Sequence, residues 1–121
     1  MPQKIQTFND GICNIYYVRN VAVPGGMPKE ELRLKISSLR YKERTVGMSR
    51  YWAAMQAHVK VDLVIRVPYT PLRMEAVSTQ DVVVLHTGAQ YRIVQIQKPE
   101  DTYPPVMDLS LERLVQKYDT G

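Results

Sequence analysis

The stretch that decides the fold runs from Gly47 to Pro68, GMSRYWAAMQAHVKVDLVIRVP. In its second half Val59, Val61, Leu63, Ile65 and Val67 share one parity, against His58, Lys60, Asp62 and Arg66 on the other. A period of two is the mark of a strand with one face in the core and the other in water. The first half differs. Ser49 suits an N-cap, and Ala53, Ala54, Met55, Gln56 and Ala57 are good helix formers. A helix this short is marginal in water and becomes ordered only by docking on its own domain or on a neighbour. The pattern predicts a short helical excursion, carrying Tyr51 and the single tryptophan Trp52, set ahead of a strand.

Outward from that strand the chain reads mostly as more strands. Ile12–Val18 follows the turn residues Asn9, Asp10 and Gly11. AVPGGMPKEE is expected to be a loop, because Pro24, Gly25, Gly26 and Pro28 do not sustain a ladder. Leu34–Thr45 is a long candidate strand whose inward parity changes between Ile36 and Leu39, so Ser37–Ser38 is the place for a bulge. Pro68 and Pro71 stop the Val59–Val67 strand. Val82–His86 and Tyr91–Gln97 flank the hairpin connection TGA, in which Gly88 supplies positive φ. VMDLSLERL closes the series with Met107, Leu109 and Leu111 on one face. The fold class expected is mainly β, a small antiparallel barrel of about six strands with one short helix or helical turn between two of them. It forms one domain over residues 1–121, with 8–114 as its core and frayed termini.

Composition bounds the function. A chain of 121 residues with 45% apolar content can bury a core. Its one cysteine, Cys13, excludes an internal disulfide and a multi-cysteine zinc site. No apolar run approaches the roughly 20 residues of a membrane-spanning helix, and the N-terminus has no signal-peptide core, so a soluble chain is expected. The net charge is +4, with Arg33, Lys35, Arg40, Lys42, Arg44 and Arg50 opposed by Glu43 alone between Arg33 and Arg50. That run is either a solvated strand face or a surface attractive to a polyanion.

Catalytic signals are sparse. His58 and His86 have no ligand partner at metal spacing, Ser49 lies in no nucleophile elbow, and PGGMPK lacks phosphate-loop spacing. Glu30 with Glu31, and Glu100 with Asp101, read as solvated loop acids. The expectation is no enzyme, no cofactor, no metal and no small-molecule substrate. Eight of the ten aromatic residues are tyrosine. Tyrosine suits surfaces that are alternately wet and contacted, as at subunit interfaces, and is also common on sheet surfaces.

The order FNDG, IYYV, LRYKERTVGMSRYWAA, VKVDLVIRVP, YRIVQIQ and MDLSLERL resembles the head closure family of tailed bacteriophages, also called head–tail joining proteins or stoppers. The resemblance covers Phe8 to Leu114 and rests on the succession of strands together with RYKERTVG, SRYWAA and LSLER. Adaptor and tail-terminator proteins of phages share this size and are the alternative. The resemblance implies a small β-barrel that assembles as a homo-oligomeric ring, a dodecamer in the family, in the virion neck. Portal and adaptor lie above it, the tail protein lies below, and double-stranded DNA passes nearby without specific contact. In some members the segment between the second and third strands reaches into the channel and retains packaged DNA. By position that segment is Thr45–His58, and with Arg44 its candidate residues are Thr45, Met48, Ser49, Arg50, Tyr51, Trp52, Met55, Gln56 and His58. Arg33, Lys35, Arg40 and Lys42 are the candidate basic face toward DNA. A small nucleic-acid-binding barrel that holds single strands along Arg33–Arg50 remains a rival reading.

Overall fold

In the computed structural model the described residues are 8–21, 25–26, 29–44, 60–99, 103–115 and 118. They form strands β1 (Gly11–Val21), β2 (Lys29–Arg44), β3 (Leu63–Pro68), β4 (Val82–Leu85), β5 (Gln90–Gln97) and β6 (Val106–Arg113), with one helical turn, α1 (Pro71–Met74). Every pairing is antiparallel, and the sheet closes on itself in the order β1-β2-β3-β6-β5-β4. The mainly β, six-stranded antiparallel barrel expected from the sequence is the fold observed.

Alternation explains the interior. Ile65 and Val67 of β3, and Met107, Leu109 and Leu111 of β6, meet Cys13, Ile15, Ile36, Leu39, Tyr41 and Ile93 in one buried cluster. The bulge lies where the sequence places it. Cys13 faces Leu39 and Ile15 faces Ile36, so Ser37 and Ser38 together oppose Asn14. Ser38 takes φ 57°, and its N–H donates to Asn14 Oδ1 at 2.8 Å. A second irregularity follows at once: Tyr16 faces Leu34, which loops out Lys35. This shift separates Leu34, 54% exposed, from buried Ile36, although the two share a parity in sequence. Gly88 takes φ 89° in the β4–β5 turn, as the hairpin requires.

Several boundaries differ from expectation. β3 starts at Leu63 rather than Val59, and Lys60–Asp62 lie outside the ladder. Asp62 instead anchors its start, with its N–H donating to Leu111 O and its carboxylate accepting from the Arg113 N–H at 2.7 Å. β2 begins at Lys29, so Glu30 and Glu31 sit on a strand and not in a loop. α1 was not legible: Pro71 opens the turn, where a missing N–H costs nothing. Tyrosine is less of a surface residue than its count implies. Tyr41 is buried and Tyr69 and Tyr91 pack on the core, while Tyr17 and Tyr103 are exposed.

The registers define two barrel ends. At one end lie α1, the start of β4 and the start of β6, and beyond it β1 and β2 continue as a two-stranded ribbon. At the other lie the β4–β5 turn, the end of β6 and the point where the chain leaves β2 at Arg44 and returns toward β3 at Lys60.

Candidate functional site

Strand parity dictates where the cations of β2 point. Beyond the Ser37–Ser38 bulge, Leu39 and Tyr41 face inward, so Arg40, Lys42 and Arg44 alternate on the outer face, all exposed. Successive members of that row stand about 6.8 Å apart along the strand. Lys42 is in register with Arg66 of β3, and Arg66 with Asp108 of β6. The Arg66 guanidinium forks onto Asp108, Nε to Oδ1 at 2.8 Å and Nη2 to Oδ2 at 3.1 Å. Arg44 Nη1 lies 3.9 Å from the same carboxylate. Asp108 therefore neutralises Arg66 and leans on Arg44. Arg40 and Lys42 make no ion pair with a described residue; the Asp10 carboxylate is held nearby, accepting from the Glu43 N–H at 2.7 Å.

The expected basic face is thereby divided. Arg33 is paired with Glu31 at 2.6 Å on the ribbon. Lys35, thrown out by the second bulge, is drawn to the opposite barrel end, where its Nζ meets Asp81 Oδ2 at 2.7 Å and the Ala76 carbonyl at 2.9 Å. Only Arg40 and Lys42 of the four share a face, and Arg44 extends it. Of the proposed arm, Arg44 closes β2; Thr45, Met48, Ser49, Arg50, Tyr51, Trp52, Met55, Gln56 and His58 lie outside the described residues.

Beside the exit at Arg44, Lys60, Asp62, Arg113, Leu114 and Val115 line an open depression of roughly 370 Å³. Its one carboxylate is already engaged by the Arg113 N–H and lies 3.4 Å from Lys60 Nζ. It offers a polar shelf, with no free acid–base pair.

His86 sits in the β4–β5 turn, exposed, with its N–H donating to Ile12 O and its Nδ1 3.4 Å from Tyr41 Oη. Burial pushes the Tyr41 phenol above its ordinary value, and the Glu43 carboxylate adds to the rise. Burial pushes the Cys13 thiol up to about 12, so it is a neutral core group. Tyr118 lies against β5, exchanging hydrogen bonds with the Gln90 amide at 2.7 Å each. Its hydroxyl is pushed up by burial and then by the carboxylate of Glu30, to which it donates at 3.2 Å. Among the described residues no cluster of three or more histidine, cysteine or carboxylate side chains could hold a metal ion.

The Arg66–Asp108 pair was missed in the sequence, although VMDLSLER carries a signal. Aspartate is depleted in strands, and one between two inward-facing apolar residues calls for a cationic partner across the sheet.

No family model matches the chain, and neither a curated protein nor a solved structure matches it.

Proposed function

We propose that the chain is a structural protein of a bacteriophage neck, a ring-forming head closure protein around the DNA exit channel between portal–adaptor and tail. The observation that carries this reading is the outer row Arg40, Lys42 and Arg44. It runs along β2 to the barrel end at which the Thr45–His58 segment departs. A row of surface cations whose first two members make no ion pair with a described residue attracts phosphates of any sequence. Among the described residues no helix is of a size to read bases in a groove. A conduit needs weak, sequence-blind contact of this kind, since strong capture would stall the duplex. The resemblance of the strand succession and of RYKERTVG and SRYWAA to the head closure family points the same way. Adaptor and tail-terminator roles share the ring and the channel and differ in which neighbour each face meets.

Electron microscopy of the purified chain mixed with portal–adaptor complexes tests the reading. Ring density stacked on the adaptor is expected, and persistent failure to join either ring overturns it. The basic row also favours a second reading, a barrel that holds single-stranded nucleic acid. The two separate by salt titration. Sub-micromolar affinity for oligonucleotides supports the second; weak, sequence-blind binding to duplex supports the first. In either case Arg40→Glu with Lys42→Glu lowers the slope of log affinity against log salt, by about 1.8 for duplex or about 1.4 for single strands.

A further inference from the structure

The β1–β2 ribbon leaves the barrel with neither edge paired to another described strand. Among the described residues Tyr17–Val21 pairs only with Lys29–Arg33, because β1 meets β4 at Cys13–Tyr16 and β2 meets β3 at Lys42–Arg44. A two-stranded hairpin is marginal in water, and each edge presents a row of main-chain donors and acceptors suited to another strand. The two faces of the ribbon differ as well. Tyr16, Val18, Leu32 and Leu34 share one face, and Tyr17, Arg19, Glu31 and Arg33 the other. Leu34 and Tyr17 are exposed, at 54% and 39%. The described contact of the tail with the ribbon, Tyr118 Oη to the Glu30 carboxylate, engages a side chain and no main-chain group of either edge.

We propose that these edges join one copy of the chain to the next, β1 of one copy pairing antiparallel with β2 of its neighbour. Charge selects this arrangement over the symmetric ones. Pairing β1 with β1 about the centre of its five-residue edge sets Arg19 opposite Arg19. Pairing β2 with β2 sets Glu31 opposite Glu31. Pairing β1 with β2 repeats the register already present within the ribbon and sets Arg19 opposite Glu31. Contact between unlike edges is head-to-tail, and head-to-tail contacts close into rings when the rotation permits. The inference rests on the ring reading above and names the surface that forms the ring.

Mixing charge-reversed copies of the full chain tests it, with sedimentation velocity over a concentration series as the readout. Wild type is expected to associate with concentration. Arg19→Glu alone and Glu31→Arg alone are each expected to associate about tenfold more weakly, because every edge contact then carries like charges. An equimolar mixture of the two is expected to recover association. The acid introduced at position 19 of one copy then meets the base introduced at position 31 of the other. Circular dichroism of each variant checks that the barrel is intact. A mixture that associates no better than its components overturns the proposal, as does a wild type that stays monomeric throughout. If those same preparations still stack on the portal–adaptor complex, the edge assignment fails while the neck reading stands.

Discussion

Asp108→Ala is expected to be among the most destabilising single changes in the barrel. The Asp108 side chain is 5% exposed and that of Arg66 is 12%, and two hydrogen bonds at 2.8 and 3.1 Å join them. Removing the carboxylate takes its bidentate partner from a guanidinium held largely out of water, which costs about 3–5 kcal/mol. The third member adds little: Arg44 stands at 3.9 Å with a side chain 39% exposed, where an ion pair contributes about 0–1 kcal/mol. With an unfolding entropy of about 2.1 cal/mol/K per residue, each kcal/mol lowers the melting midpoint of a chain this size by about 4 °C. The expected fall is therefore about 12–20 °C.

A thermal melt followed by circular dichroism gives the shift, and urea titration gives the free energy directly. The informative comparison is a cycle with Arg66→Met and the double variant Arg66→Met/Asp108→Leu. If the single losses come from stranding one buried charge, the double variant should recover most of the deficit, with a coupling energy above about 2 kcal/mol. A loss below about 1 kcal/mol for Asp108→Ala, or a double variant as weak as the sum of the singles, would refute the reasoning. The pair would then be a solvated surface contact.

Cys13 should contribute a pH dependence of definite sign. Its folded pKa of about 12 lies above the ordinary 9.0, so the neutral thiol favours the folded state. That contribution is complete below pH 9 and declines as the unfolded thiol ionises, until pH reaches the folded value. Relative to Cys13→Ala, wild type should lose about 1.4 kcal/mol per pH unit above pH 9, measured by urea midpoints; parallel profiles would contradict it. Gly11 has no room for a methyl group: an added Cβ would stand 2.5 Å from the His86 ring and 2.8 Å from Tyr41 Oη. Gly11→Ala should cost about 1–3 kcal/mol, and His86→Ala should restore part of that loss because the exposed imidazole is the closer obstacle. Ser38→Gly should raise the melting midpoint by about 2–4 °C, since it relieves a left-handed residue at φ 57°. An unchanged or lower midpoint would show that the bulge carries no backbone strain.

What the sequence reveals of this barrel follows the range over which each signal acts. The β3 and β6 faces are local: Ile65, Val67, Met107, Leu109 and Leu111 need only a period of two, and all five are buried. The Ser37–Ser38 bulge is nearly local, because Ile36 and Leu39 cannot share a face without an extra residue between them. The irregularity at Lys35 leaves no such trace. Leu34 and Ile36 keep their parity in sequence, and only pairing with Tyr16 and Ile15 shows that it breaks. The basic face was overestimated for the same reason. Four cations close in sequence look continuous, yet Lys35 answers to Asp81, 46 residues away, and Arg33 to Glu31. The Arg66–Asp108 pair spans 42 residues and becomes visible only once β3 and β6 are in register.

The treatment of β2 charge separates the molecule into two working regions. Natural edge strands are commonly blunted by lysines, by inward-pointing charges or by bulges that turn the ladder away. On β2 the bulges are confined to the barrel side of the ribbon. The bulges fall at Lys35 and Ser37–Ser38, and Lys35 is committed to Asp81. The outer five residue pairs run without irregularity from Tyr17↔Arg33 to Val21↔Lys29, and the β2 side carries both signs, with Arg33, Glu31 and Lys29 alternating on one face. An edge meant only to repel strands would carry one sign. An edge carrying both signs repels a copy of itself and accepts the opposite edge, so it discriminates among partners. Past the bulges the same strand carries Arg40, Lys42 and Arg44 outward with no acid of its own between them on that face. One strand thus presents mixed charge where a protein neighbour would add to the sheet and a single sign where a polyanion would pass. The bulges are the hinge between the two, because they set which side chains face out in each half.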